Sequence, residues 1–148
     1  MRLGNVRRRS RTGGLAAAAV CLAIGCGLDG SGDKLLPVSG KVRYKAEPLT
    51  TGTVILIADA AKGNTTKHEP RGPIDDHGNF QVSTAGRPGA PPGWYKVAVI
   101  ASKPGNPNKP YAVTGSLLPK KYGNADTSEL AIEVTEKPTA GAYDLVLK

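Results

Sequence analysis

The stretch that most constrains the fold is residues 78–101, GNFQVSTAGRPGAPPGWYKVAVIA. Residues 79–84 alternate in polarity, which is typical of a β-strand with one buried face. Residues 87–93 interrupt this pattern, because proline lacks a backbone donor and glycine frees the backbone. Residues 94–101 are apolar on both faces apart from Lys96, which indicates a central strand. We interpret the two strands as the core hairpin of an all-β domain.

Five further stretches carry strand patterns. Residues 38–45 alternate with one polar face, and residues 53–58 (TVILIA) are apolar on both faces. Residues 71–75 are a weaker candidate that leads into a turn, and residues 129–135 and 142–148 alternate again. We find no helical period and no internal repeat. These patterns predict a seven-stranded antiparallel Greek-key β-sandwich of the immunoglobulin-like kind.

The positive charge is concentrated near the start of the chain. The formal net charge is +8, and five arginines lie within the first 11 residues. Beyond residue 25, 15 basic residues face 12 acidic ones, so the rest of the chain carries +3. Basic stripes with interleaved aromatic residues, typical of single-strand nucleic-acid binders, are absent from the sequence. We therefore expect no nucleic-acid partner.

The basic start is followed by an apolar run of eleven residues, 15–25. This run is shorter than the roughly 20 residues of a membrane-spanning helix and predicts a bacterial export signal. It ends in AIGC at Cys26, which resembles the lipobox of bacterial lipoproteins, although alanine stands where leucine is usual. The resemblance implies a diacylglycerol on the Cys26 thiol, cleavage before Cys26, and acylation of the new amino group. The alternatives are an ordinary signal peptide or an uncleaved anchor.

These signals divide the chain into three parts. Residues 1–25 are the predicted leader, residues 26–35 are a lipidated cysteine with a polar tether, and residues 36–148 are the β-domain. Eight tether residues of this Gly-rich composition span roughly 16 Å as a flexible coil. Cys21 would leave with the leader and Cys26 would carry lipid, so no thiol remains for a disulfide or a metal. We expect an exported protein on the cell membrane or outer membrane.

Several short motifs occur together in the predicted domain. PVSGKV at 37–42 leads to EPL at 47–49, D-x-x-G-x-F occupies 75–80, and P-G-x-Y-x-V occupies 92–97. This combination resembles the carboxypeptidase regulatory-like domain, a small β-sandwich related in fold to transthyretin. PKKY at 119–122 and TSEL further on are similar to the short lipoproteins with this domain that abound in planctomycete genomes. The resemblance implies a fold rather than an activity.

Two known chemistries of related domains are not expected. Transthyretin-like enzymes that hydrolyse 5-hydroxyisourate end in a Tyr-Arg-Gly-Ser-type tail, whereas this sequence closes with YDLVLK. Domains with Lys–Asn isopeptide bonds usually place the asparagine near the last strand, and no asparagine follows Asn124. The sequence also carries no nucleophile motif. We therefore predict no catalytic activity and no cofactor.

Two histidines and neighbouring carboxylates are a legitimate set of metal ligands. The set comprises His68, Glu69, Asp75, Asp76 and His77. Its spacing fits no metal motif, and residues 75–79 do not follow the calcium-loop pattern. A tight turn explains His77 unaided, because Asp75 or Asp76 can accept backbone N–H bonds around Gly78. We predict a turn here and no metal.

The remaining candidates are surfaces for binding. Trp94 could stack on a sugar, although we favour packing against the sheet. Residues 102–124 are irregular and Pro-rich, and carry Tyr111, Lys120, Lys121 and Tyr122. These side chains could contact an acidic polysaccharide or an envelope protein, or the segment could be solvated with Tyr122 against the sheet. The sequence thus favours a non-catalytic binding or scaffolding module, with carbohydrate binding as the alternative and a metal carrier or enzyme less favoured.

Overall fold

The computed structural model describes residues 34–103, 105, 108 and 114–148. The predictions made for Cys26 and Tyr111 lie outside these residues. The described part contains β-strands and two short 3-10 helices, Ala60–Lys62 and Lys120–Gly123, with no α-helix. A helix of the length and apolarity needed to span a membrane was not found within it.

Ten strands follow one another along the described residues. They are β1 Ser39–Tyr44, β2 Glu47–Pro48, β3 Thr53–Ala58, β4 Arg71–Pro73, β5 Asn79–Gln81, β6 Ser83–Thr84, β7 Arg87–Pro88, β8 Gly93–Ile100, β9 Ala131–Val134 and β10 Leu145–Leu147. Each of the seven predicted stretches contains at least one of them. The additional strands, β2 and β7, are only two residues long.

The strands form two sheets, which confirms the all-β prediction. In the first sheet β1 is the central strand and pairs with β10, β2 and β5. The second sheet has the order β7-β6-β4-β3-β8-β9. β3 and β8 pair antiparallel over six residues, from Thr53 with Ile100 to Ala58 with Tyr95. The two stretches that are apolar on both faces are therefore interior strands, as predicted.

The predicted core hairpin within residues 78–101 is wrong. β5 pairs with β1 in the first sheet, whereas β8 pairs with β3 and β9 in the second. The chain turns back earlier than predicted, because Ala85 and Gly86 both have positive φ and close a two-residue turn between β6 and β7. Such turns match the twist of a hairpin. The proline-rich segment that follows then leads into a different part of the second sheet.

The sheets are also not wholly antiparallel. β10 runs parallel to β1, with Val42 opposite Leu145 and Tyr44 opposite Leu147. β1 and β10 are the first and last of the described strands, so no single short connection joins this parallel pair. Residues 135–144 carry the chain from β9 in the second sheet to β10 in the first.

The core consists of the apolar side chains that alternate along strands of both sheets, as the sequence predicted. Val54 and Leu56 of β3 and Val97 of β8 are fully buried, and Phe80 is 3% exposed. Most of the other predicted inward positions are also buried: Val38, Val42, Val82, Thr84, Tyr95, Val99, Ile132, Val134, Tyr143, Leu145 and Leu147. Gly40, Tyr44 and Leu130, also predicted to face inward, are only partly buried. No buried side-chain polar atom in the described ranges lacks a hydrogen-bond partner.

Candidate functional site

Part of the predicted metal-ligand set comes together in the turn before β5. One ligand atom each from Asp75, Asp76 and His77 lies within 4.8 Å of the others, and all three residues are exposed. The Asp75 carboxylate accepts hydrogen bonds from the backbone N–H groups of His77 at 2.9 Å and Asn79 at 2.8 Å. The sequence allowed this turn role for Asp75 or Asp76, and the structure gives it to Asp75. His68 and Glu69 do not join the group, and Glu69 instead pairs with Arg71 at 3.3 Å.

The turn should make stability depend on pH in the acid range. Hydrogen bonds from the Asn79 side chain and backbone, and then from the His77 backbone, lower the pKa of Asp75. A depressed folded-state pKa stabilises the protein above the unfolded value, and this contribution is lost as pH falls through the folded pKa. Urea titrations from pH 5 downward should therefore show a smaller acid destabilisation in Asp75→Asn than in the wild type.

The matched control for this titration is Asp76→Asn. The carboxylate of Asp76 contacts the His77 ring, with 2.5 Å between Oδ1 and Nδ1, instead of receiving the backbone N–H bonds of the turn. We expect the acid dependence of stability to change more in Asp75→Asn than in Asp76→Asn, because the backbone bonds of the turn go to Asp75. The same acid profile for Asp75→Asn and Asp76→Asn would refute the role assigned to Asp75.

Trp94 lies near the start of β8 and is partly buried. The Lys62 ammonium nitrogen lies 3.7 Å from the centroid of its ring, a cation–π contact. The backbone carbonyl oxygen of Trp94 accepts hydrogen bonds from the Asp59 N–H at 3.0 Å and from the Asn64 side-chain amide at 2.8 Å. One face of the ring is therefore covered by Lys62, rather than open for stacking against a sugar.

Three candidate residues lie in the described part of the 102–124 segment, and they differ in how much of each is exposed. Tyr122 is 3% exposed. Its hydroxyl donates to the Lys148 carbonyl at 2.9 Å and accepts from the Lys148 N–H at 2.7 Å, which fixes the end of the chain beside β10. Lys120 and Lys121 are exposed, and the Lys121 ammonium lies 4.9 Å from the Tyr122 ring centroid. Tyr122 is thus a packing residue, as in the second interpretation, while the two lysines form an accessible surface.

A second surface, not predicted from the sequence, lies between the loop after β3 and the start of β8. This basic cleft has a volume of about 680 Å³. It is lined by Lys34, Lys62, Gly63, Asn64, Thr65, Thr66, Lys67, His68, Pro91, Pro92 and Gly93. The lining contains three lysines and a histidine, and no aspartate or glutamate. Its chemistry therefore favours an anionic ligand.

Both walls of the basic cleft are held by hydrogen bonds to the core. On one wall, the Asn64 side chain is 7% exposed, donates to the Trp94 carbonyl and accepts from the Thr66 N–H at 3.1 Å. On the other wall, the buried Tyr95 hydroxyl donates to the Pro91 carbonyl at 2.9 Å. The walls meet where Gly93 has φ +138°, and a Cβ there would lie 3.0 Å from the Asn64 amide nitrogen. The cleft is therefore preorganised.

Asn64→Ala should lower the free energy of unfolding by about 2 kcal/mol, because a buried side chain loses two hydrogen bonds and leaves the Thr66 N–H without its acceptor. Chemical denaturation measures this change. Asn124→Ala is the matched control, since Asn124 is exposed and its side chain accepts one backbone bond, from the Asp126 N–H at 2.8 Å. We expect less than about 1 kcal/mol there. Equal losses would contradict the anchoring role of Asn64.

Comparison of the chain with family models, curated proteins and solved structures gives no match. The lining of the basic cleft comes from three segments that lie apart in the sequence, namely Lys34, residues 62–68 and residues 91–93, and its lysines come from the first two. A sequence pattern does not join them. The local signal that could have located one wall is the PPG at 91–93 directly before the central strand.

Proposed function

We propose that this chain is an exported, lipid-anchored protein of the cell envelope whose β-domain serves as a non-catalytic binding or scaffolding module. The observation that carries the proposal is the AIGC sequence ending at Cys26, directly after a basic and then apolar leader. Its counterpart in the fold is Leu36, whose backbone exchanges bonds with Ala90 at 2.8 and 2.9 Å. Leu36 thus pairs with Ala90 at a position ten residues beyond the proposed lipid site.

For the finer fold, we propose a seven-stranded Greek-key sandwich of the carboxypeptidase regulatory-like, transthyretin-like type. The motif residues have the roles that this resemblance implies. Asp75 accepts the backbone bonds of the turn, and Phe80 enters the core. Tyr95 and Val97 of the second motif are fully buried. These are structural roles, which supports a shared fold without implying a shared activity.

The non-catalytic assignment rests on how the buried polar side chains are used. Asp59 caps a 3-10 helix by accepting from the Ala61 N–H at 3.2 Å. Thr84 donates to the Gly89 carbonyl at 2.7 Å, and Ser128 donates to the Val97 carbonyl. Asn64 holds the loop described above. Each of these side chains forms hydrogen bonds with backbone groups of the domain, which is a structural role.

The binding role is tested by cross-linking intact cells that produce the full chain, with a photoreactive residue in place of Lys120. The control carries the same photoreactive residue in place of Lys41, an exposed residue of β1. One recurrent envelope protein at position 120, absent at position 41, supports a scaffolding or adaptor role. Polysaccharide without a recurrent protein would replace it with the carbohydrate-binding alternative. No specific product at either position would argue against a binding module.

A further inference from the structure

The basic cleft lies at the end of the domain where the chain enters it. Lys34 belongs to its lining and stands eight residues beyond Cys26. A chain of that length spans at most about 28 Å when fully extended. If Cys26 carries lipid, the cleft is therefore held within the reach of headgroups of the same membrane.

The charges of the cleft fit an anionic headgroup. Lys62 and Lys67 are exposed, and Lys62 is positioned by its contact with the Trp94 ring. Lys34 forms an ion pair with Glu136, so it contributes less positive charge than the other two. The Thr65 and Thr66 residues of the lining add hydroxyl groups that can donate to phosphate oxygens. The cleft volume is within the usual range for small-ligand sites.

We propose that the basic cleft binds the phosphate of an anionic phospholipid headgroup, with Lys62 and Lys67 as its principal contacts. This inference rests on the proposed lipid anchor for the choice of a lipid over another anion. An acyl anchor combined with a basic surface is a pair of signals that orients a domain on a membrane. The cleft would then fix which face of the β-domain points toward the bilayer, leaving Lys120 and Lys121 for other contacts.

Trp94 provides the reporter for a test, because it is the only tryptophan of the chain and Lys62 contacts its ring. The full chain in micelles of a neutral detergent is titrated with dihexanoyl phosphatidylglycerol, and Trp94 emission is recorded. We expect a saturable change, with half-saturation at a lower concentration than dihexanoyl phosphatidylcholine or inorganic phosphate requires. Lys67→Glu should raise the half-saturating concentration about 25-fold, because it replaces one favourable charge with an unfavourable one.

Lys120→Glu is the charge-matched control, since Lys120 is equally exposed but outside the cleft. We expect it to leave the titration unchanged. An equal response to phosphatidylcholine, an equal response to phosphate, or equal effects of Lys67→Glu and Lys120→Glu would overturn the proposal. Saturation by polygalacturonate without any response to phosphatidylglycerol would also overturn it and assign the cleft to an acidic polysaccharide.

Ligand binding in the cleft and lipid attachment at Cys26 are tested by separate measurements. The mass of the isolated protein reports lipid on Cys26, and Trp94 emission reports the cleft. Binding of phosphatidylglycerol by a protein with an unmodified Cys26 would retain the cleft and reject the anchor. A lipid-modified protein whose Trp94 emission does not respond would retain the anchor and reject the cleft.

Discussion

Cys26→Ala is expected to move the protein almost completely from the membrane fraction to the soluble fraction of the envelope or the medium. Several acyl chains on one residue hold a protein firmly, whereas a domain without them has only surface charge to bind the bilayer. Among the described residues there is no helix long and apolar enough to span a membrane. Fractionation after export, followed by immunoblotting, measures the change.

The control for this experiment is Cys21→Ala, which removes the other cysteine of the chain. Val20 precedes Cys21, whereas the lipobox pattern places a small residue before the modified cysteine, as Gly25 stands before Cys26. Cys21→Ala should therefore stay with the membrane. Sedimentation of Cys26→Ala with membranes would mean that the leader is retained as an anchor or that another contact holds the protein.

Gly72→Ala is expected to lower the free energy of unfolding by about 3 kcal/mol or more. A Cβ at position 72 would lie 1.9 Å from the carbonyl oxygen of Gln81, and backbone cannot yield as a flexible side chain can. Gly72 lies on β4, next to Gln81 and Val82, where the chain passes from β5 in one sheet to β6 in the other. The loss is a large share of the stability of a small domain. Urea denaturation measures it.

Gly123→Ala is the matched control for Gly72→Ala. A Cβ at Gly123 would meet no atom within 4 Å, and this residue does not have a positive φ. We expect a change within about 0.5 kcal/mol. If the two alanine variants unfolded at the same urea concentration, the close approach of the Gln81 backbone to Gly72 would be wrong.

Local patterns in the sequence predicted most of the buried positions along the strands. The alternation along residues 38–45, 79–84 and 129–135 follows from the two-residue period of a strand, which depends only on neighbouring residues. The buried positions of β1, β5 and β9 therefore lie where the pattern placed them. The turn role of Asp75 or Asp76 was predicted for the same reason, because the turn partners lie within four residues, and the structure shows that Asp75 is the acceptor.

Pairing and assembly could not be predicted in the same way. Whether residues 79–84 pair with β8 or with β1 depends on contacts between distant segments, and the alternation is identical in both cases. The chain changes sheets at Val82, between β5 and β6, and this change does not interrupt the alternation of polar and apolar residues. The parallel contact of β10 with β1 likewise arises from the crossover after β9. The basic cleft could not be predicted for the same reason, because its walls come from segments that are brought together only in the assembled fold.

The most direct test of the proposed lipid anchor is the intact mass of the protein extracted with detergent from the membranes of exporting cells. We predict a chain that begins at Cys26, lacks residues 1–25, and carries a diacylglyceryl group with a further acyl chain on its amino group. Fragmentation should place all the added mass on the first residue. A chain that begins elsewhere, or a Cys26 without lipid, would contradict the assignment of this protein as a lipid-anchored envelope module.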